Sequence, residues 1–147
     1  MNSCRTLWLA VSLAFLFVIS GCGGSSGDKF NPNNVSVTVS PASANVAVGG
    51  QVPVQATVNN DCSGCAPSVL WSIQEMQVNG ATGAQCNWSG STPPDGPCPY
   101  GTIEGTETTS VTFHAPSTTG TVHVEAEWTF ISNPPISKTA TSAITVQ

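Results

Sequence analysis

The stretch Gly120-Thr-Val-His-Val-Glu-Ala-Glu-Trp-Thr-Phe130 alternates without a break. Val122, Val124, Ala126, Trp128 and Phe130 take every second position, and His123, Glu125 and Glu127 stand between them. Successive side chains of a β-strand point to opposite faces, so this period of two describes a strand with one buried and one polar face. The same pattern extends outward. Val35, Val37 and Val39 alternate with Ser36, Thr38 and Ser40 until Pro41, and Val46 and Val48 form a short edge segment before Gly49-Gly50. Val52, Val54, Ala56 and Val58 follow, with Pro53 among them. Proline has no N–H for a ladder, so Pro53 belongs at a strand start or on an unpaired edge. Ser68-Val-Leu-Trp-Ser-Ile73 puts Val69, Trp71 and Ile73 on one face, with Trp71 as the expected centre of the core. Gln77 to Gly101, rich in Gly, Pro, Asn and Ser, reads as one long loop containing Cys86 and Cys98. Beyond it come Thr102-Ile103, Val111 with Phe113, and, past the Asn133-Pro134-Pro135 turn, Ala140, Ser142, Ile144 and Val146. Seven to eight antiparallel strands with frequent turn signals and no helical periodicity predict an all-β chain folded as a β-sandwich.

The first 34 residues are of another kind. Met1 to Arg5 carries one positive charge, Leu7 to Ile19 is apolar apart from Ser12, and the small residues Ser20 and Gly21 follow. That is the three-part layout of a secretory signal. The apolar run falls short of the roughly 20 residues that span a bilayer. Ile19-Ser-Gly-Cys22 resembles the bacterial lipobox, an aliphatic residue and two small ones before a cysteine. The resemblance implies that residues 1–21 are a lipoprotein signal peptide and that Cys22 is lipidated and begins the mature chain. Position 23 is Gly, not the Asp that marks inner-membrane retention in lipoproteins of enteric-type bacteria. The expected location is therefore the bacterial cell envelope, with outer membrane or cell surface ahead of inner membrane. Residues 22–34 form a Gly/Ser-rich tether whose Gly23–Asn34 part spans about 20 Å as flexible coil. Gly23-Gly-Ser-Ser-Gly27 matches G-x-S-x-G by letter only, because a nucleophile elbow needs a strand before the serine and a helix after it.

Residues 35–147 make one domain, in a mature chain of 126 residues once 21 of the 147 are removed. Its eight Asp and Glu face only Lys29 and Lys138, a formal charge of −6. Nothing basic remains to neutralise phosphates, which excludes nucleic acid as a partner class. Membrane attachment must likewise come from acyl chains rather than from a basic surface. Of six cysteines, Cys4 leaves with the signal and Cys22 takes lipid. Cys62, Cys65, Cys86 and Cys98 remain, an even number that reads as two disulfides in an exported chain, with three pairings open.

Several segments in order carry a second resemblance. They are Val37-Thr-Val-Ser-Pro41, Val46-Ala-Val-Gly-Gly50, Val69-Leu-Trp-Ser-Ile73, Gly101-Thr-Ile103, Ser110-Val-Thr-Phe-His-Ala-Pro116 and Gly120-Thr-Val-His-Val124. Together they resemble the bacterial immunoglobulin-like domains of adhesins and envelope proteins, close to the group-2 type, over Val35 to Val146. The resemblance implies an immunoglobulin-like β-sandwich with no shared catalytic residues. Members often carry a cysteine pair before the Gly-Thr-Ile segment, matching Cys86 and Cys98. The core positions of the second and sixth strands hold Val54, Ala56, Val124 and Ala126, so no inter-sheet disulfide is available and Trp71 is expected to pack on aliphatics and Trp128. The disulfides then staple loops, and local pairing, Cys62–Cys65 and Cys86–Cys98, is the expectation.

Candidate chemistry is sparse. Cys62-Ser-Gly-Cys65 has the spacing of a redox or zinc motif. A redox pair needs a helix N-terminus to lower a thiol pKa, and zinc needs a second close pair, so a structural disulfide is the better reading. His123, Glu125 and Glu127 share an outward face with the spacing of metal ligands, but alternating polar residues also describe any solvated face. His114 points outward without a partner identifiable from sequence. Trp88 and Tyr100 flank the Cys86–Cys98 loop and are the candidate binding residues, suited to stacking on sugar rings or anchoring a protein. The favoured reading of Trp88 is nevertheless a lid folded onto the sandwich end and covering the core, because a disulfide loop usually buries its largest apolar residue. Asn34-Val-Ser36 and Asn87-Trp-Ser89 match the glycosylation pattern, which has little meaning in a bacterial lipoprotein. No catalytic residues, metal ligands or cofactors are expected. The functional expectation is a lipid-anchored, non-enzymatic module whose partners are the membrane and a protein or glycan.

Overall fold

The computed structural model describes residues 30–61, 68–78, 86–88, 91–95, 97–105 and 108–147. Eight strands follow a 3-10 turn at Pro32–Asn34: β1 (Ser36–Ser40), β2 (Ser43–Val46), β3 (Gln51–Asn59), β4 (Leu70–Ile73), β5 (Thr102–Glu104), β6 (Ser110–His114), β7 (Gly120–Phe130) and β8 (Ile136–Val146). One helical turn, α1 (Gln74–Val78), follows β4 directly. The strands form two four-stranded sheets with the orders β1-β3-β6-β5 and β2-β8-β7-β4. Lettered in chain order, these are the A-B-E-D and C-F-G sheets of an immunoglobulin-like sandwich, with β2 added beside the last strand. Every pairing between named strands is antiparallel except β2 with β8, which is parallel. The chain crosses from one sheet to the other at Pro41, and β2 joins β8 in the opposite sheet; the Ser40–Pro41 peptide is cis. Ser142 of β8, fully buried, secures the crossing by donating its hydroxyl hydrogen to the Pro41 carbonyl at 2.7 Å.

The inward positions are those of the period-two pattern. Val54, Trp71, Ile73, Ile103, Phe113, Val124, Ala126 and Ile144 are completely enclosed. Trp71 sits at the centre as expected, and its indole N–H donates across the sandwich to the Thr108 carbonyl at 2.7 Å, satisfying the polar atom of the largest core side chain. Trp128 is buried but belongs to a separate group at one end, where its ring stacks on Phe130 at 6.3 Å and Phe130 meets Phe30 at 5.4 Å. Trp128 therefore does not join the cluster that encloses Trp71, because β7 carries it two residues past Ala126, the partner of Trp71. Phe30 to Asn34, read from sequence as tether, are part of the packed unit, and the Asn60 side chain donates to the Asn34 carbonyl at 3.2 Å.

Pro53 lies inside β3, opposite Thr112 of β6. The Ala56 N–H donates to the Thr109 carbonyl, so even-numbered residues of β3 aim their N–H groups at β6. By alternation the nitrogen of Pro53 faces the other flank, which β1 leaves at the Ser40–Gln55 pair. The missing donor thus falls on an unpaired edge, in agreement with the sequence argument. Strand direction gives the sandwich two distinct ends. The chain entry, the Asn60 bend, Thr108 and the β7–β8 hairpin share one end. The β2–β3 turn, the Pro116–Gly120 turn, Gln147 and Pro99 share the other. The ten steps of β7 set the ends about 33 Å apart at the usual strand rise.

Candidate functional site

The Cys86–Cys98 loop supplies the site's frame. The two residues form a disulfide with Cα atoms 5.6 Å apart, as the local pairing anticipates, and Cys86 is buried in the core. Cys62 and Cys65, like Cys22, lie outside the described residues. Residues Cys86 to Trp88 close the flank between the sheets. Asn87 forms a parallel bridge with Ile103, and the Trp88 N–H donates to the Ile103 carbonyl at 2.8 Å, which extends the short edge strand β5. The Asn87 side-chain amide donates to the Trp71 carbonyl of β4 at 3.1 Å. One segment therefore covers the edges of both sheets, which would otherwise offer unpaired backbone groups.

This placement decides where Trp88 goes. It lies on the outward face of the β5–β6 pair and does not lid the end of the sandwich. Its ring stacks on His114 at 4.6 Å and 21°, and its indole N–H donates to the Thr102 hydroxyl oxygen at 3.0 Å. His114 Nε2 contacts Glu104 Oε2 at 3.0 Å, with the two side chains 20% and 41% exposed. Trp88, His114, Glu104 and Thr102 thus make one half-buried aromatic and polar cluster near the end opposite the chain entry. Tyr100 takes no part in it. It packs against the core cluster, in a turn where the Gly101 N–H donates to the Cys98 carbonyl, and is not an exposed platform. Gly101 must be glycine. Its φ is +96°, and a Cβ there would stand 2.4 Å from the His114 carbonyl oxygen and 2.9 Å from the Phe113 ring.

The outward face of β7 differs from both sequence readings. Strand β4 ends at the Ile73–Val124 pair, which leaves the next outward N–H of β7, that of His123, without a strand partner. Glu75 of α1 supplies the acceptor, with its carboxylate oxygens 3.1 and 3.0 Å from that nitrogen. Its Oε1 also meets His123 Nδ1 at 2.5 Å. Gln74 Nε2 donates to Glu125 Oε2 at 2.6 Å. His123 and Glu125 therefore hold a helical turn against the sheet and are not a bare solvated face. Among the described residues no three His, Cys, Asp or Glu side chains gather to hold a metal ion. Sequence reasoning missed Glu75, Gln74, Glu104 and Thr102. The run Gln74-Glu-Met-Gln77 of good helix formers was the one available signal, in a helix too short to show a period.

No family profile matches this chain, and no curated protein matches it. Among solved structures it is similar to a nucleoside hydrolase-related hypothetical protein from Saccharophagus degradans associated with carbohydrate metabolism. The identity is 18% and the TM-score 0.44 over 71% of this chain, and the match covers 22% of that protein.

Proposed function

We propose that this chain is a lipid-anchored bacterial envelope protein, presenting one immunoglobulin-like module of the group-2-like type for interaction or structural purposes and without catalysis. The observation that carries this reading is the polarity of the sandwich. The described chain enters at one end, eight residues beyond Cys22, while the Cys86–Cys98 loop and the Trp88–His114 stack occupy the region near the other. A domain tethered at one tip offers its far tip to whatever lies beyond the membrane. His114 and His123 each engage one carboxylate, in keeping with a structural use of both. The test is fractionation of cells expressing the wild-type chain and Cys22→Ala. The wild type is expected in the membrane fraction and the variant in the soluble one. A variant that stays with the membrane refutes the anchor.

The second reading is a carbohydrate- or adhesin-type binding protein that uses the Cys86–Cys98 loop. It is favoured by the half-buried Trp88 on the outer face with Glu104 and His114 beside it. Under it, Trp88→Ala abolishes glycan or protein capture without changing the melting temperature. A melting loss of several degrees, with no ligand captured by the wild type, removes this reading.

A further inference from the structure

The tip of the β7–β8 hairpin carries the most exposed large hydrophobic residue of the described chain. Ile131 is 94% exposed, the largest value among the exposed large hydrophobics, which include Val48 and Leu70. Pro134 and Pro135 of the same turn are also exposed, and Phe130 and Ile136 close the strands at its base. Lone apolar residues on a surface need no explanation, but its place beside the chain entry singles this one out. Phe30 packs on Phe130 at 5.4 Å, so the described chain begins against this hairpin and not at the far end. Cys22 lies eight residues before Phe30 in the sequence.

We propose that the β7–β8 hairpin tip is a membrane-contact site at which Ile131, with the exposed prolines of the same turn, enters the interfacial layer of the bilayer that holds the acyl chains of Cys22. The proposal rests on the lipid-anchor reading. Docking of Phe30 orients the sandwich, because a lipid attached eight residues earlier brings the Phe30–Phe130 end towards the bilayer and turns the Trp88 region away from it. A single isoleucine supplies too little apolar burial to hold a protein on lipid alone, so the contact orients a domain that the acyl chains retain.

Mass spectrometry of the chain purified from membranes first reports whether Cys22 bears a lipid. That protein is then placed in vesicles of phosphatidylethanolamine and phosphatidylglycerol, and its amide exchange is compared with that of Cys22→Ala in solution. Exchange at Ile131, Ser132, Asn133 and Ile136 is expected to slow by about tenfold on vesicles, while Ser117 to Thr119 at the other end exchange unchanged. Ile131→Asp, at a position with no packing to lose, is expected to restore the solution rate in the lipidated protein. A lipidated chain whose hairpin exchanges at the solution rate overturns the membrane contact and leaves the anchor standing. An unmodified Cys22 overturns both.

Discussion

Replacing Trp71 by phenylalanine tests the central claim about the core. Trp71 is completely enclosed, pairs with Ala126 across the β4–β7 ladder and donates its indole N–H to the Thr108 carbonyl at 2.7 Å. Phenylalanine keeps an aromatic ring there but has no donor and less volume. Loss of the hydrogen bond costs about 1 kcal/mol net. The unfilled space adds about 1–3 kcal/mol, in line with large-to-small core changes. The sum, about 2–4 kcal/mol, lowers the melting temperature of a domain this size by about 10 °C. Urea unfolding of the Cys22→Ala protein, followed by circular dichroism so that the lost tryptophan does not bias the signal, measures the change. Trp88→Phe is the control. It deletes the bond from Trp88 to the Thr102 hydroxyl at 3.0 Å, at a half-buried site where water takes over, and is expected to cost about 1 kcal/mol or less. If Trp71→Phe falls within about 1 kcal/mol of wild type, or if the two variants are equal, the cross-sandwich bond does not organise the core.

Gly101→Ala is expected to destabilise by about 2–3 kcal/mol in thermal melts, because φ is +96° and the added Cβ meets the His114 carbonyl. Gly49→Ala, with φ at +70° and open space around the new Cβ, is expected to cost about 1 kcal/mol, and equal losses would refute the steric argument. Removing the Cys86–Cys98 disulfide by Cys86→Ala with Cys98→Ala releases a loop with a sequence separation of 12 and is expected to cost up to about 3 kcal/mol in urea, whereas an unchanged midpoint would show the loop held by its other contacts. Glu75→Gln is expected to speed amide exchange across Gln74–Val78 several-fold while lowering global stability by only about 1 kcal/mol, and full protection of α1 in the variant would mean that the carboxylate does not dock the helix.

The alternation of small polar and aliphatic residues along Val35–Val39, Val52–Val58 and Val122–Phe130 was enough to specify all-β structure, the inward faces and the central position of Trp71. Strand period is a property of neighbouring residues, so a chain read in order reveals it. Proline and glycine placed most of the turns for the same local reason. What the sequence left open concerns residues far apart in the chain. Ser142 reaches Pro41 across 101 positions, and His123 reaches Glu75 across 48. Such partners become neighbours only when the pairing register is set. The crossing of β2 to the parallel side of β8 and the placement of Trp88 on His114 follow from which sheet edge each segment covers, a choice made by long-range packing. Helix α1 arose where a strand of four residues ended one pair too early for β7, and no periodicity within five residues announces that. By itself the sequence determined which residues face inward, because that depends on the backbone's two-residue repeat. The tertiary structure alone decided which outward polar residues meet and which end of the sandwich receives the chain, because both depend on register and on the order of strands in each sheet.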